Sequence, residues 1–172
     1  MRLVGTVWRA HHPGWSFAPD SGEGAALHGG RFNRIGTPAL YTSLRFETAW
    51  LEAQQGFPFK AQPMTLCGYE VDCENIADLT DPVACSNLGV APADLACAWE
   101  YLIDLGQVPP SRVAADRLSA AGYIGIQVPS FAPGATLFDA NIVFWRWSQD
   151  RPHRIKVIDA EGRFPGNDLS WR

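Results

Sequence analysis

The sequence predicts an α+β fold, on three observations. Short apolar runs of strand character recur at 4–9, 39–42, 64–71, 123–128, 141–147 and 154–158. Helical periodicity is confined to 44–55, 94–103 and 111–121. The two kinds of segment follow one another without regular βα alternation, which argues against a doubly wound parallel sheet. The 172 residues suit one domain, 1–172, built on a single sizeable core.

The first strand, 4–9, is followed by a stretch, 11–30, rich in Gly, Pro, Ser and His that reads as a long surface loop. Gly36-Thr37-Pro38 is a turn signal ahead of the second strand. Ser43 then offers an N-cap to a helix from about Leu44 to Gln55, with Glu47 near its positive end and Gly56 as a stop. Phe46, Ala49, Trp50 and Ala53 fall on one helical stripe and are expected to be buried. Glu52 lies about 110° from the centre of that stripe, at its flank, where a carboxylate can face a cleft beside the core. Pro92 introduces the second helix. In the third, Ser111 is a cap, Val113, Ala114, Leu118 and Ala121 form the apolar face, and Gly122 ends it. The tail, 162–172, shows no pattern.

Composition narrows the function. The chain is 47% hydrophobic and 19% charged, an ordinary globular balance. A net charge of −4 without any Lys/Arg run argues against direct nucleic-acid binding. No run approaches the ~20 apolar residues of a membrane span. The start lacks the apolar stretch of a signal peptide, so a cytoplasmic location is expected. Cys67, Cys73, Cys85 and Cys97 form no CxxC pair and read as packed, reduced thiols, with no metal site. His11-His12 reads as a solvated loop pair, because adjacent residues of an extended chain point opposite ways. Seven tryptophans are many for this length, and some can line a pocket for a flat ligand. Trp99 reads as core. Trp145 and Trp147 alternate with Arg146 and are expected to share one face of a strand.

The chemistry gathers around Gly29-Gly30-Arg31-Phe32-Asn33. Glycines let a backbone approach a ligand closely, and an arginine beside them forks two donors onto a phosphate or carboxylate. Read locally, a turn with a solvated arginine is the plainer account. The order of segments along the chain sharpens it: Trp8-Arg9, the GGRFN segment, Gly36-Thr37-Pro38-Ala39-Leu40-Tyr41-Thr42-Ser43, Glu47-Thr48-Ala49-Trp50-Leu51-Glu52, Pro129-Ser130 and Asn141-Ile142-Val143. Taken in this order they resemble the RES-domain family, over about residues 7–147. Phe32 stands where the family often has tryptophan, and 82–112 matches nothing in the pattern.

The resemblance implies a fold like that of ADP-ribosyltransferases, with split mixed or antiparallel sheets and flanking helices. It implies the toxin of a bacterial toxin–antitoxin pair, with a cognate antitoxin as partner. It also implies a reaction: loss of nicotinamide from NAD⁺, used as substrate with no prosthetic group, and transfer of ADP-ribose to phosphate, water or a protein. Two other readings stay open, a protein-directed ADP-ribosyltransferase that degrades little free NAD⁺ and a non-catalytic nucleotide-binding module. The chain has neither a Walker-type Gly-Lys-Ser/Thr nor a GxGxxG opening a helix, so NAD⁺ is expected in a cleft, not on a Rossmann turn.

Carried onto this sequence, the resemblance nominates Arg31, Tyr41, Glu52 and Ser130 for catalysis. It nominates Arg9, Gly30, Arg31, Tyr41 and Asn141 for holding NAD⁺. The chemistry suits them. Cleavage develops an oxocarbenium-like ribose, which a carboxylate stabilises through the ribose hydroxyls. The diphosphate needs cationic forks, Arg31 and Arg9. Tyr41 offers the nicotinamide cation an aromatic face. Each has a structural alternative: Glu52 as a solvated helix carboxylate, Tyr41 as a core aromatic bonded to backbone, Ser130 as a turn cap, Asn141 as a bridge between loops, Arg9 as the ion-pair partner of Glu47. His28, beside the glycine pair, is a further ligand candidate.

Overall fold

The computed structural model describes residues 1–54 and 63–169. Its strands are β1 (Leu3–His11), β2 (Leu40–Ser43), β3 (Thr65–Cys73), β4 (Ile76–Asp78), β5 (Gly125–Pro129), β6 (Ala140–Phe144) and β7 (His153–Val157). They form one mixed sheet in the order β4-β5-β6-β2-β1-β3-β7. Every neighbouring pair is antiparallel except β4 and β5. That parallel pair needs a crossover connection, and the chain supplies it as helices α3 (Pro82–Asn87), α4 (Pro92–Leu95), α5 (Trp99–Asp104) and α6 (Pro110–Ala120). Two earlier helices, α1 (Glu23–His28) and α2 (Phe46–Gln54), follow β1 and β2. The predicted α+β class holds.

Strand alternation separates two apolar clusters. Ala77, Ile126, Val128 and Val143 point to the first, which the crossover helices cover with Leu95, Ala114, Ala115 and Leu118. Ile76, Ile142 and Phe144 point to the second, shared with Val7, Val71 and Ile155. Strands from both ends of the sheet order thus meet in one cluster, so the sheet curls. At the curl the Met1 ammonium donates to the Ile76 carbonyl at 2.6 Å, and the Ile76 amide donates back to Met1 at 2.9 Å.

Several local expectations are corrected. The 11–30 loop contains a 3₁₀ turn, Pro13–Trp15, and α1. Ser43 does not cap α2. It continues β2, and its hydroxyl bonds Asn141. The buried face of α2 is Thr48 and Ala49, while Phe46 and Trp50 are 50% and 40% exposed. Phe46 instead lies against the edge of Trp8 at the surface, centroids 6.1 Å apart. The expected stop at Gly56 lies outside the described residues. The helix expected over 94–103 is broken in two between Leu95 and Trp99. Pro110, not Ser111, opens α6. Ser111 is turned inward, and Val113 and Ala121 are exposed. β6 ends at Phe144, so the alternation does not run on: Trp145 joins the first cluster and Trp147 flanks the second.

His11 also departs from expectation. It is buried at the end of β1. Its Nδ1 lies 2.9 Å from the His12 carbonyl and must carry the proton, which leaves Nε2 to accept from the Cys67 thiol at 3.3 Å. Burial lowers the His11 pKa and pushes the Cys67 thiol up to about 11, so both stay neutral. All four cysteines are free, and three are buried.

Candidate functional site

A cleft of about 740 Å³ opens where the ends of β1, β2 and β6 meet α2 and the Gly29–Asn33 segment. Arg9, Gly30, Arg31, Tyr41, Glu52 and Asn141 line it. Ser130 reaches the same place through a hydrogen bond. The structure therefore brings together all seven residues nominated from the sequence.

Glu52 is the centre of the arrangement. Ser130 Oγ donates to its Oε1 at 2.6 Å, and Asn141 Nδ2 donates to the same oxygen at 2.5 Å. Asn141 is itself oriented, since Ser43 Oγ donates to its Oδ1 at 2.7 Å. Ser43 and Asn141 are register partners on β2 and β6, so the sheet fixes their approach. Two donors on Oε1 leave Oε2 without a hydrogen-bond partner among the described residues. A carboxylate held by one oxygen in a cleft presents the other to a ligand hydroxyl.

The rest of α2 is anchored one turn earlier. Thr48 Oγ1 donates to Asp139 Oδ1 at 2.5 Å, and the amide and hydroxyl of Thr136 donate to Oδ2 at 2.8 and 2.7 Å. These donors, Thr48 first, hold the Asp139 pKa down at about 2. Thr48 and Glu52 are four residues apart on one helix face. The Thr48–Asp139 bond thus sets the height of Glu52 against Ser130 and Asn141, which flank the same loop.

The glycine segment is fixed from below. Tyr41 Oη donates to Asn33 Oδ1 at 2.8 Å and accepts from the Phe32 amide at 3.0 Å. Burial raises its pKa and keeps the phenol neutral. The Tyr41 hydroxyl thus serves the glycine segment, while the residue also lines the cleft. Gly30 must be glycine, because a Cβ there would sit 2.5 Å from Tyr41 Oη. Asn33 Nδ2 ties the segment to the carbonyls of Ala25 and Thr37, each at 2.8 Å.

Arg31 is half-buried. Its Nη1 donates to the carbonyls of Leu95 and Cys97 at 3.1 and 2.6 Å, and its Cζ lies 4.9 Å from the Phe131 ring centroid. Burial lowers its pKa, opposed by Cys97 and Glu52, and the guanidinium stays charged. Nε and Nη2 carry no bond among the described residues and can face an anion. Arg9 does not pair with Glu47, whose partner is Arg45. Its Nη1 donates to the carbonyls of Pro19 and Ser21, both at 3.1 Å, so it holds the loop after β1 while lining the cleft.

Sequence reasoning missed four contributors. Ser43 was hidden by its resemblance to a helix cap. Trp99 lines the cleft, although its place on a helix face reads as core. Phe131 carries Arg31 on its ring. Arg112 Nε donates to the Gly30 carbonyl at 2.8 Å, and no local signal marks it, because its partner is 82 residues away. Exposed His28, beside the glycine pair, also lines the cleft.

Comparison with known proteins bears on the whole arrangement. The family model described as RES domain matches residues 6–167. No curated protein matches the chain. Among solved structures, the chain resembles a chain of the M.tuberculosis MbcT-MbcA toxin-antitoxin complex, at 22% identity and a TM-score of 0.58, over 92% of this chain and 84% of that one. At that identity the likeness is one of fold. The family match runs from within β1 past β7 and so takes in every residue of the cleft. The chain belongs to the RES-domain family.

Proposed function

We propose that this protein binds NAD⁺ in the cleft and breaks its nicotinamide–ribose bond, passing ADP-ribose to phosphate, water or a protein, and that it acts as the toxin of a toxin–antitoxin pair. The observation that carries the reading is the Glu52 carboxylate, held through Oε1 by Ser130 and Asn141 with Oε2 open among the described residues. Departure of nicotinamide leaves positive charge on the ribose ring. A fixed carboxylate that accepts from a ribose hydroxyl stabilises that charge more in the transition state than in the ground state. Because Ser130 and Asn141 already orient the group, little reorganisation is needed during reaction.

Arg31 supplies the cation for the diphosphate, and its restraint by two backbone carbonyls keeps the fork in place. The ring of Tyr41 borders the site, where a neutral phenol face suits the nicotinamide cation. The cleft volume falls in the range of small-molecule sites, ~300–1,000 Å³. A non-catalytic binder has little use for a carboxylate so carefully held beside an anion-binding arginine.

The partner is read from two facts together, membership in the RES-domain family and a fold shared with a chain solved in a toxin–antitoxin complex. Incubation of the purified protein with NAD⁺, with and without phosphate, should release nicotinamide. No release with phosphate, water or lysate protein as acceptor would refute the reaction. A labelled protein band from labelled NAD⁺ in extract, with free NAD⁺ intact, would instead select the protein-directed transferase. Growth arrest on expression, relieved by an adjacent gene product, tests the toxin role.

A further inference from the structure

Trp99 plays no part in the reaction as described. It opens α5, is half-buried, and lines the cleft. The Arg112 guanidinium lies over its ring, with Cζ 5.6 Å from the centroid. Arg112 itself is buried and is absent from the cleft lining. The cation thus covers the protein side of the indole and leaves the other side to the cleft. Arg112 is also tied down, since its Nε donates to the Gly30 carbonyl.

A ring that already carries a cation on one face is a poor partner for a second cation and a good one for a neutral, electron-rich heterocycle. That disfavours the nicotinamide pyridinium at Trp99 and favours adenine. Position agrees. Glu52 is bonded by Ser130, the next residue, Phe131, carries the Arg31 guanidinium on its ring, and Arg31 in turn bonds the Cys97 carbonyl, two residues before Trp99. The order Glu52, Arg31, Trp99 matches the order reactive ribose, diphosphate, adenosine in the dinucleotide.

We infer that Trp99, backed by Arg112, is the platform on which the adenine of the dinucleotide stacks. The inference deepens the NAD⁺ reading and rests on it. It gives the crossover segment around α5 a specificity role: the protein prefers a dinucleotide to a mononucleotide carrying the same nicotinamide ribose.

Two measurements test it. Calorimetric titration with ADP-ribose, which needs no turnover, compares wild type with Trp99→Ala and Trp99→Phe. Stacking of one base on an aromatic ring predicts about a tenfold loss of affinity in Trp99→Ala, largely restored in Trp99→Phe. The second compares kcat/KM for NAD⁺ and nicotinamide mononucleotide by nicotinamide release. The preference for NAD⁺ should fall in Trp99→Ala by the same factor, mainly through KM. Equal ADP-ribose affinity in wild type and Trp99→Ala, no ADP-ribose binding by wild type, or an unaltered preference would each overturn the inference. If wild type binds ADP-ribose through Trp99 yet releases no nicotinamide, the cleavage reading fails and this one stands. If it cleaves NAD⁺ with a Trp99-independent affinity, the reverse holds. Should Trp99→Ala not fold, Trp99→Leu, which fills the space without a π face, replaces it in both comparisons.

Discussion

Asn141 Nδ2 donates to Glu52 Oε1 at 2.5 Å, joining a central strand of the curled sheet to the last turns of α2. The carboxylate can only accept, so the amide nitrogen must face it, and Ser43 then donates to the amide oxygen. Glu52→Gln keeps the size and removes the charge. Nicotinamide release should fall by about 100-fold or more, the usual cost of one transition-state hydrogen-bonding group, and the melting temperature should move little. Unchanged turnover in this variant would take Glu52 out of the mechanism.

Ser43 acts through Asn141 and is a positioning residue. Ser43→Ala frees the Asn141 amide to turn, so that it no longer always presents its nitrogen to Glu52. The loss of one neutral hydrogen bond, ~1 kcal/mol, predicts about a fivefold fall in kcat, with KM for NAD⁺ almost unaltered. Ser43→Thr keeps the hydroxyl and should restore kcat. A Thr variant as slow as the Ala variant would mean that the effect is one of strand packing.

The contrast between what sequence reading could and could not reach has physical causes. The strands were legible because their apolar runs match the pleat, and 4–9, 39–42 and 154–158 each fall within about two residues of an observed strand. The burial pattern of α2 was not legible. Phe46 and Trp50 are the larger apolar residues, but the tertiary fold turns Thr48 and Ala49 inward, because Thr48 has a buried partner in Asp139. That partner lies 91 residues away, and no local pattern announces it. The cleft was legible only through the order of its motifs. Residues that support it from outside those motifs, Arg112 and Trp99 above all, sit in the very stretch that matched nothing.

Asp139 links stability to acid. Its folded pKa, held at about 2 chiefly by Thr48, lies below the ordinary value of 3.8. Stability from this group is therefore fully present above about pH 4 and is lost as pH falls towards 2. Asp139→Asn should lower stability by ~2 kcal/mol at neutral pH, typical of hydrogen bonds to a charged acceptor, and should flatten the acid limb of the stability curve. Denaturant melts from pH 2 to 7 check it. If the wild-type and variant curves stay parallel over this range, Asp139 does not carry the acid dependence.

Tyr41 separates a ring from a hydroxyl. Tyr41→Phe keeps the aromatic face on the cleft but leaves the Phe32 amide without its acceptor and Asn33 Oδ1 without its donor. An unsatisfied buried group costs ~1–3 kcal/mol, so the melting temperature should drop. The Gly29–Asn33 segment carries Arg31, and its loosening should raise KM for NAD⁺ more than it lowers kcat, because the phosphate contact proposed for Arg31 would be made in ground and transition states alike. Gly30→Ala attacks the same joint from the other side, since its methyl group would meet Tyr41 Oη at 2.5 Å. One of the two must move. The methyl would also lie 2.7 Å from Asn33 Oδ1 and 2.9 Å from Tyr41 Cζ, so Tyr41→Phe relieves only the closest of three contacts; if that contact dominates, Gly30→Ala combined with Tyr41→Phe should be less damaging than the sum of the single changes. A double-mutant cycle of KM and stability reads this directly, and strictly additive effects would show that the alanine perturbs the segment by some route other than the Tyr41 hydroxyl.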